Sequence, residues 1–262
     1  MSDFLNSRKT ASENSQAIPA GRCCSGDGLE TSASASESSR RHFFQMALGG
    51  TVAGLVAARG IEFASPRPVR AQSNITPDAA LKELMDGNTR FRTGRATAHE
   101  QDIAILKEKT LDKQEPYAAV LACADSRVPV EMIFDQSIGH VFVTRVAGNV
   151  LTPEIIASLE YGALVLGTEV ILVLGHANCG AVKATIQGKE VPGQISTLFP
   201  HIQPAVDQAG PNLEAATKAN AQIQAALLRQ SSTVIAGLLK EKKVKVVAGY
   251  YDLATGAATL LT

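Results

Sequence analysis

The chain has 262 residues, sets 25 basic against 25 acidic side chains for a formal charge of zero, and is 45% hydrophobic, with four Cys and no Trp. With only 19% of its residues charged, it has no basic footprint to face phosphates, which argues against a nucleic-acid binder. The apolar fraction can fill a core, so the chain as a whole is not a disordered one.

The first forty residues are dominated by Ser, Ala, Gly, Asn and Glu and sustain no apolar period, which predicts an unstructured extension. It ends at Ser39-Arg40-Arg41-His42-Phe43-Phe44, followed by a Gly- and Ala-rich apolar run over 46–58 that Arg59 and Glu62 close. That run is too short and too weakly apolar for a good membrane span. With small residues at Val69-Arg70-Ala71 ahead of Gln72, the block resembles a twin-arginine export signal. An ordinary N-terminal amphipathic helix is the alternative, but the run has no polar stripe. The expected organisation is an extension with signal over 1–71 and one folded domain over 72–262. The expected destination is the periplasm or the thylakoid lumen, with or without tethering to the membrane by an uncleaved signal.

Thr76-Pro77-Asp78 opens the folded part as a helix start: a capping hydroxyl, Pro at the first helical position and acid in the first turn. Leu81, Leu84, Met85 and Phe91 form its apolar stripe, and it ends near Gly94. A short apolar run over 117–122 reads as a strand buried on both faces, and similar runs recur at 141–146, 170–174 and 244–250. Helical patterns lie between them at 130–134, 153–166, 181–187 and 213–239. Strands alternating with helices imply βαβ crossovers. A hairpin over 246–261, turning at Ala254-Thr255-Gly256, adds an edge strand. The predicted fold is therefore α/β: a mostly parallel β-sheet flanked by helices, with an N-terminal helical arm and an added edge strand.

Reactive groups in such sheets gather beyond the carboxyl ends of the strands. Two segments there end in polar residues foreign to a core: Cys123-Ala124-Asp125-Ser126-Arg127 after the first strand, and Gly175-His176-Ala177-Asn178-Cys179-Gly180 after the third. For an exported protein, a disulfide between Cys123 and Cys179 is one reading. The His-x-x-Cys spacing favours another, because one tight turn can aim imidazole and sulfur at a common zinc ion. Cys179 also opens a helix, whose free N–H groups favour an anionic sulfur. Cys123, His176 and Cys179 make three ligands and leave a fourth position for water, the pattern of a catalytic site. Of the other histidines, His140 begins a strand and His201 follows Pro200 in a loop, so both read as solvated surface residues. Asp125 could itself fill the fourth position, but Arg127 two residues on would hold the carboxylate away from the metal and keep it ionised. A surface salt bridge is the plainer reading of that pair. Gly175 and Gly180 read as backbone necessities of a tight metal loop.

At these residues the sequence resembles the β-class carbonic anhydrases. The matching text is CADSR with VPVEMIFD after it, VFVTRVAGN, SLEYGALVLG, GHANCGAV and GYYDLATG, from about Gln114 to Gly256. The resemblance implies one zinc per chain on Cys123, His176 and Cys179, with Asp125 and Arg127 as an orienting dyad. Gln114 matches the family glutamine that hydrogen-bonds substrate from across a dimer interface. Phe142 and Tyr161 match an apolar wall around carbon dioxide, with plain core packing as their alternative. Ala147 stands where relatives often carry Val, which implies a slightly roomier pocket. Some members build a bicarbonate site on a Trp; this chain has none, which favours the open, water-bound state. The implied activity is reversible hydration of carbon dioxide to bicarbonate and a proton by a zinc-bound hydroxide. The implied assembly is a dimer or higher even oligomer, with the first helix as the arm around the partner. Two thiolates leave the metal less positive than three His would, so activity is expected to climb on the alkaline side. Two other readings are a carbon disulfide or carbonyl sulfide hydrolase on the same fold, and a non-enzymatic zinc or bicarbonate sensor.

Overall fold

The computed structural model describes residues 75–98 and 110–262; the export signal expected within 1–71 lies outside them. The first helix, α1 (Pro77–Arg92), starts as its sequence predicts: Thr76 Oγ1 accepts from the Ala79 N–H at 3.2 Å, and Pro77 and Asp78 occupy the first turn. Its apolar face packs on the chain's own core. Ala80 and Leu84 are fully buried in the chain's own core, with Leu81, Met85 and Phe91 packed against the same cluster. Gly87 permits that approach, since a Cβ there would stand 1.8 Å from the Phe134 carbonyl oxygen.

Five strands form one sheet in the order β2-β1-β3-β4-β5: β1 (Ala118–Ala122), β2 (Val141–Arg145), β3 (Val170–His176), β4 (Lys245–Tyr251) and β5 (Ala258–Leu261). The first four are parallel and β5 is antiparallel to β4, as the alternating pattern and terminal hairpin predict. Both faces of β1 and β3 are covered, so every residue in them is buried. Ala118, Val120, Ala122, Val170, Leu172 and Leu174 point toward α1 and α2 (Val130–Ile133). Ala119, Leu121, Ile171 and Val173 point the other way, toward α3 (Pro153–Glu160), α6 (Leu213–Ser231) and α7 (Thr233–Lys240). This is the period-two alternation of a strand, hidden in the sequence because both faces are apolar. From β1 the chain steps outward to β2, then crosses back to β3 on the other side of β1. The carboxyl ends of β1 and β3 therefore flank the point where the winding reverses, where open α/β sheets leave a crevice.

Three helical expectations change. The predicted 153–166 helix is α3 followed by a π-helical turn over Tyr161–Val165, in which Leu166 N–H reaches back to the Tyr161 carbonyl at 3.1 Å. The predicted 213–239 helix is two, because Ser232 adopts an extended conformation and its hydroxyl caps α7 at the Ile235 N–H, 3.0 Å away. A helix absent from the sequence reading, α5 (Phe199–Ala209), forms despite Pro204 inside it, because Ile202 and Ala205 are fully buried on its inner face. Pro200 sits in its first turn, where a missing N–H costs nothing. His201 is therefore helical and not in a loop, although it is exposed as expected. Among the described residues the remaining α-helix is α4 (Gly180–Gln187). No helix among the described residues is long and apolar enough to cross a membrane.

One buried amide locks α1 to the rest. Asn88 Nδ2 donates to the carbonyls of Ile133 (3.1 Å) and Gly256 (2.9 Å), and its Oδ1 accepts from the Ala258 N–H at 2.9 Å. Asn88→Ala strands three backbone groups, each worth about 1–3 kcal/mol when buried and unpaired. Urea unfolding of this variant is expected to show a loss of roughly 2–5 kcal/mol, and a loss under about 0.5 kcal/mol, the ordinary surface value, would contradict the role given to Asn88.

Candidate metal centre

The parallel register of β1 and β3 sets Ala122 level with Leu174, so the chain leaves both strands at the same end of the sheet. Cys123 follows β1 directly, and His176 is the last residue of β3. A turn through Asn178, in the left-handed region at φ 55, then brings Cys179 back to start α4. Gly175 lets α6 pack against this end of β3, as a Cβ there would meet Thr217 at 3.1 Å. Gly180, by contrast, has nothing within 4 Å of a would-be Cβ and no positive φ, so the expectation that the metal loop needs a glycine at 180 is corrected. Asn178 supplies the turn instead.

The result is a cluster in which a donor atom from each of Cys123, His176 and Cys179 lies within 4.8 Å of the others, all three residues buried. Both cysteines are free thiols, so the disulfide reading does not describe this arrangement. The His176 ring is oriented by its own neighbour: Nδ1 lies 2.9 Å from the Ala177 carbonyl oxygen. A carbonyl only accepts, so the ring proton sits on Nδ1 and the bare lone pair on Nε2 points into the cluster. Nε2 is buried and has no hydrogen-bond partner. A buried acceptor left unpaired beside two sulfurs fits a cation, and the S,S,N donor set fits zinc. The adjacent Cys179 side chain holds the Cys123 thiol well below its usual range against the opposing effect of burial, and the backbone N–H of Gly148 adds to it. Cys123, with burial, pushes the Cys179 thiol up.

Asp125 stands at the rim, its Oδ2 3.9 Å from His176 Nε2. Arg127 grips it twice, Nε to Oδ1 at 2.9 Å and Nη2 to Oδ2 at 2.7 Å, and the Arg127 backbone N–H adds a third bond to Oδ1 at 2.9 Å. The guanidinium holds the Asp125 carboxyl well below the usual carboxylate range. Arg145, given no role in the sequence reading, braces the loop by donating to the carbonyls of Cys123 (Nε, 3.0 Å) and Asp125 (Nη2, 2.5 Å). Its signal was present: a lone cation closing an apolar strand at the reactive end of the sheet.

The structure does not bring Gln114, Phe142 or Tyr161 to this cluster. Gln114 is exposed in the segment leading into β1, at the amino end of the sheet. Cys123 is at the carboxyl end, beyond a strand of roughly 13 Å at about 3.3 Å per residue. Phe142 pairs with Ala119 in the sheet and lies 6.2 Å, centroid to centroid, from the half-exposed ring of Tyr161. His140 is exposed just before β2.

Residues 118–258 match the family model described as carbonic anhydrase. The chain belongs to the β-class carbonic anhydrases. A carbonic anhydrase of Mycolicibacterium smegmatis is 36% identical over 198 residues, spanning 71% of this chain and 94% of that one. Carbonic anhydrase 2 of Mycobacterium tuberculosis is 32% identical over 195 residues, with the same coverage. Among solved structures, the tetrameric β-carbonic anhydrases of Sordaria macrospora superpose with a TM-score of 0.55 at 19% identity, covering 70% of this chain and 97% of theirs; that likeness shows the fold. The chain is thus a zinc carbonic anhydrase with a Cys-His-Cys metal site, acting on carbon dioxide and bicarbonate.

Proposed function

We propose that Asp125, locked by Arg127, directs hydration of carbon dioxide at a zinc ion held by Cys123, His176 and Cys179. The observation that supports this most is the partnerless, buried Nε2 of His176, in one cluster with two sulfurs and 3.9 Å from the Asp125 carboxylate. Zinc bound there supplies Lewis acidity, making a water nucleophilic near neutral pH. Asp125 does the orienting. With both oxygens bonded to Arg127, the carboxylate stays ionised and turned from the metal, so it can only accept. A hydrogen bond from the attacking oxygen to Oδ2 leaves that oxygen's lone pair aimed at the carbon of the substrate. The Cys123, Cys179 and His176 side chains exclude bulk water from the inner side, since all three are buried.

The substrate side is completed by a second copy. Within one chain Gln114, Phe142 and Tyr161 lie far from the cluster they are expected to serve, and β2, which carries Phe142, is an edge strand with half-buried Val141, Phe142 and Val143. A dimer pairing through this side hands the three residues to the partner's site, where Gln114 donates an N–H to a substrate oxygen as charge builds. The Sordaria relatives are tetrameric, which is consistent with an even oligomer. Residues 1–71 serve as extension and export signal, recognised by the twin-arginine machinery, and take the folded enzyme to the periplasm or lumen.

Asp125→Ala is expected to keep one zinc per chain by metal analysis yet lower kcat at least 100-fold, within the ~10²–10⁴ range of acid–base and orienting groups; a variant retaining full turnover would sink the role of the dyad. Gln114→Ala should cut kcat/KM about tenfold or more without changing the sedimentation coefficient, and a fully active monomer in the ultracentrifuge would refute the shared site. N-terminal sequencing of the exported protein is expected to begin at Gln72, and material that stays in the cytoplasm with Met1 intact would rule out the export reading.

A further inference from the structure

Behind the ligands runs a buried polar chain that the mechanism leaves unused. The Gly148 N–H donates to Cys123 Sγ at 3.3 Å. Gly148 is in the left-handed region at φ 74, and its carbonyl accepts from Asn220 Nδ2 at 2.8 Å. Asn220 lies on α6 and is fully buried. One turn on, Gln224 Oε1 accepts from the Leu151 N–H at 2.9 Å, while its Nε2 donates to the His201 carbonyl at 2.9 Å and to Asn220 Oδ1 at 3.3 Å. Two amides on one face of α6 therefore pin both ends of the segment 148–151.

A helix needed only to cover a sheet places apolar residues at such positions, as α6 does at Ala221, Ala225 and Leu228. Buried amides are costly unless bonded, and here each amide donates to a backbone carbonyl outside α6, with Gln224 also donating to Asn220. Gly148 is closely packed, since a Cβ there would come within 2.8 Å of Ile202 Cδ1 and 3.2 Å of Ala181 Cβ.

We propose that Asn220, braced by Gln224, is a positioning residue of the metal centre: it holds Gly148 so that its N–H stays aimed at the Cys123 sulfur. That hydrogen bond fixes the direction of the sulfur and withdraws charge from it, tempering its donation to a bound metal. Partners one layer behind metal ligands typically set affinity by 10–100-fold. The inference rests on the cysteine–histidine cluster holding a metal.

The test uses the full chain loaded with Co²⁺ in place of zinc, comparing wild type with Asn220→Leu, the shape-preserving Asn220→Asp, and Leu228→Ala, a core truncation two turns along the same helix. The measurements are the sulfur-to-cobalt charge-transfer band and cobalt affinity by chelator competition. Both Asn220 variants are expected to bind cobalt about 10–100-fold more weakly, because the loss of the sulfur's fixed direction outweighs its stronger donation, and to move the band to lower energy, because a sulfur without its N–H donor gives up charge more readily. Leu228→Ala should melt at lower temperature with band and affinity unchanged. Should Asn220→Leu fail to fold, Asn220→Asp decides alone. Asn220 variants that match wild type, or a Leu228→Ala that moves band and affinity as far as they do, would overturn the positioning role. Wild-type protein that takes up no cobalt would overturn the metal reading itself, and this inference with it.

Discussion

An imidazole nitrogen with no hydrogen-bond partner, closed off from water and facing two cysteine sulfurs, is the constraint around which this protein is built. An unpaired buried acceptor costs about 1–3 kcal/mol, and two sulfurs that close cannot both be anionic without a counter-charge in a medium of low dielectric. A cation resolves both at once, so metal binding and the stability of this end of the sheet are coupled. The nearby backbone serves the same end: Ala177 sets the imidazole tautomer, Asn178 turns the chain back, and Gly148 offers its N–H to sulfur.

The second decision is electrostatic. A carboxylate 3.9 Å from His176 Nε2 is near enough to become a fourth ligand or to remain an acceptor beside one. Arg127 holds it, because its planar fork matches the carboxylate in two parallel hydrogen bonds that a lysine could not reproduce. The pair is partly exposed, so its value lies less in stability than in keeping one oxygen fixed at the mouth of the site. Arg145 adds rigidity from below by holding the carbonyls of Cys123 and Asp125 to the end of β2.

A single chain supplies the metal ligands and the orienting dyad from the carboxyl end of its sheet, but the substrate-side residues expected from the family resemblance belong to the other end and to an edge strand. The division follows from parallel topology. Within one chain, residues before a strand and residues after it are held a strand-length apart.

Much of this was legible in the residues. The strand runs, the capped start of α1 and the terminal hairpin follow from local chemistry: apolar continuity, a hydroxyl before Pro, a Gly at a turn. Cys123, Asp125, Arg127, His176 and Cys179 declared themselves because charged and thiol side chains directly after buried strands have no packing role. Other features were settled only by tertiary contacts. The helix at 199–209 persists despite the internal Pro204 because Ile202, packed in the same cluster as Cys179, and Ala205 are fully buried. The long helix breaks at Ser232, whose hydroxyl serves better as a cap. α1 lies on its own sheet, since Gly87 allows contact with Phe134. Arg145, Asn220 and Gln224 matter through hydrogen bonds to residues 20 or more positions away. Sequence determines which groups are reactive and which segments are strands, because those depend on neighbours along the chain; it does not determine which backbone carbonyl a distant amide will meet, because that depends on how separate elements pack.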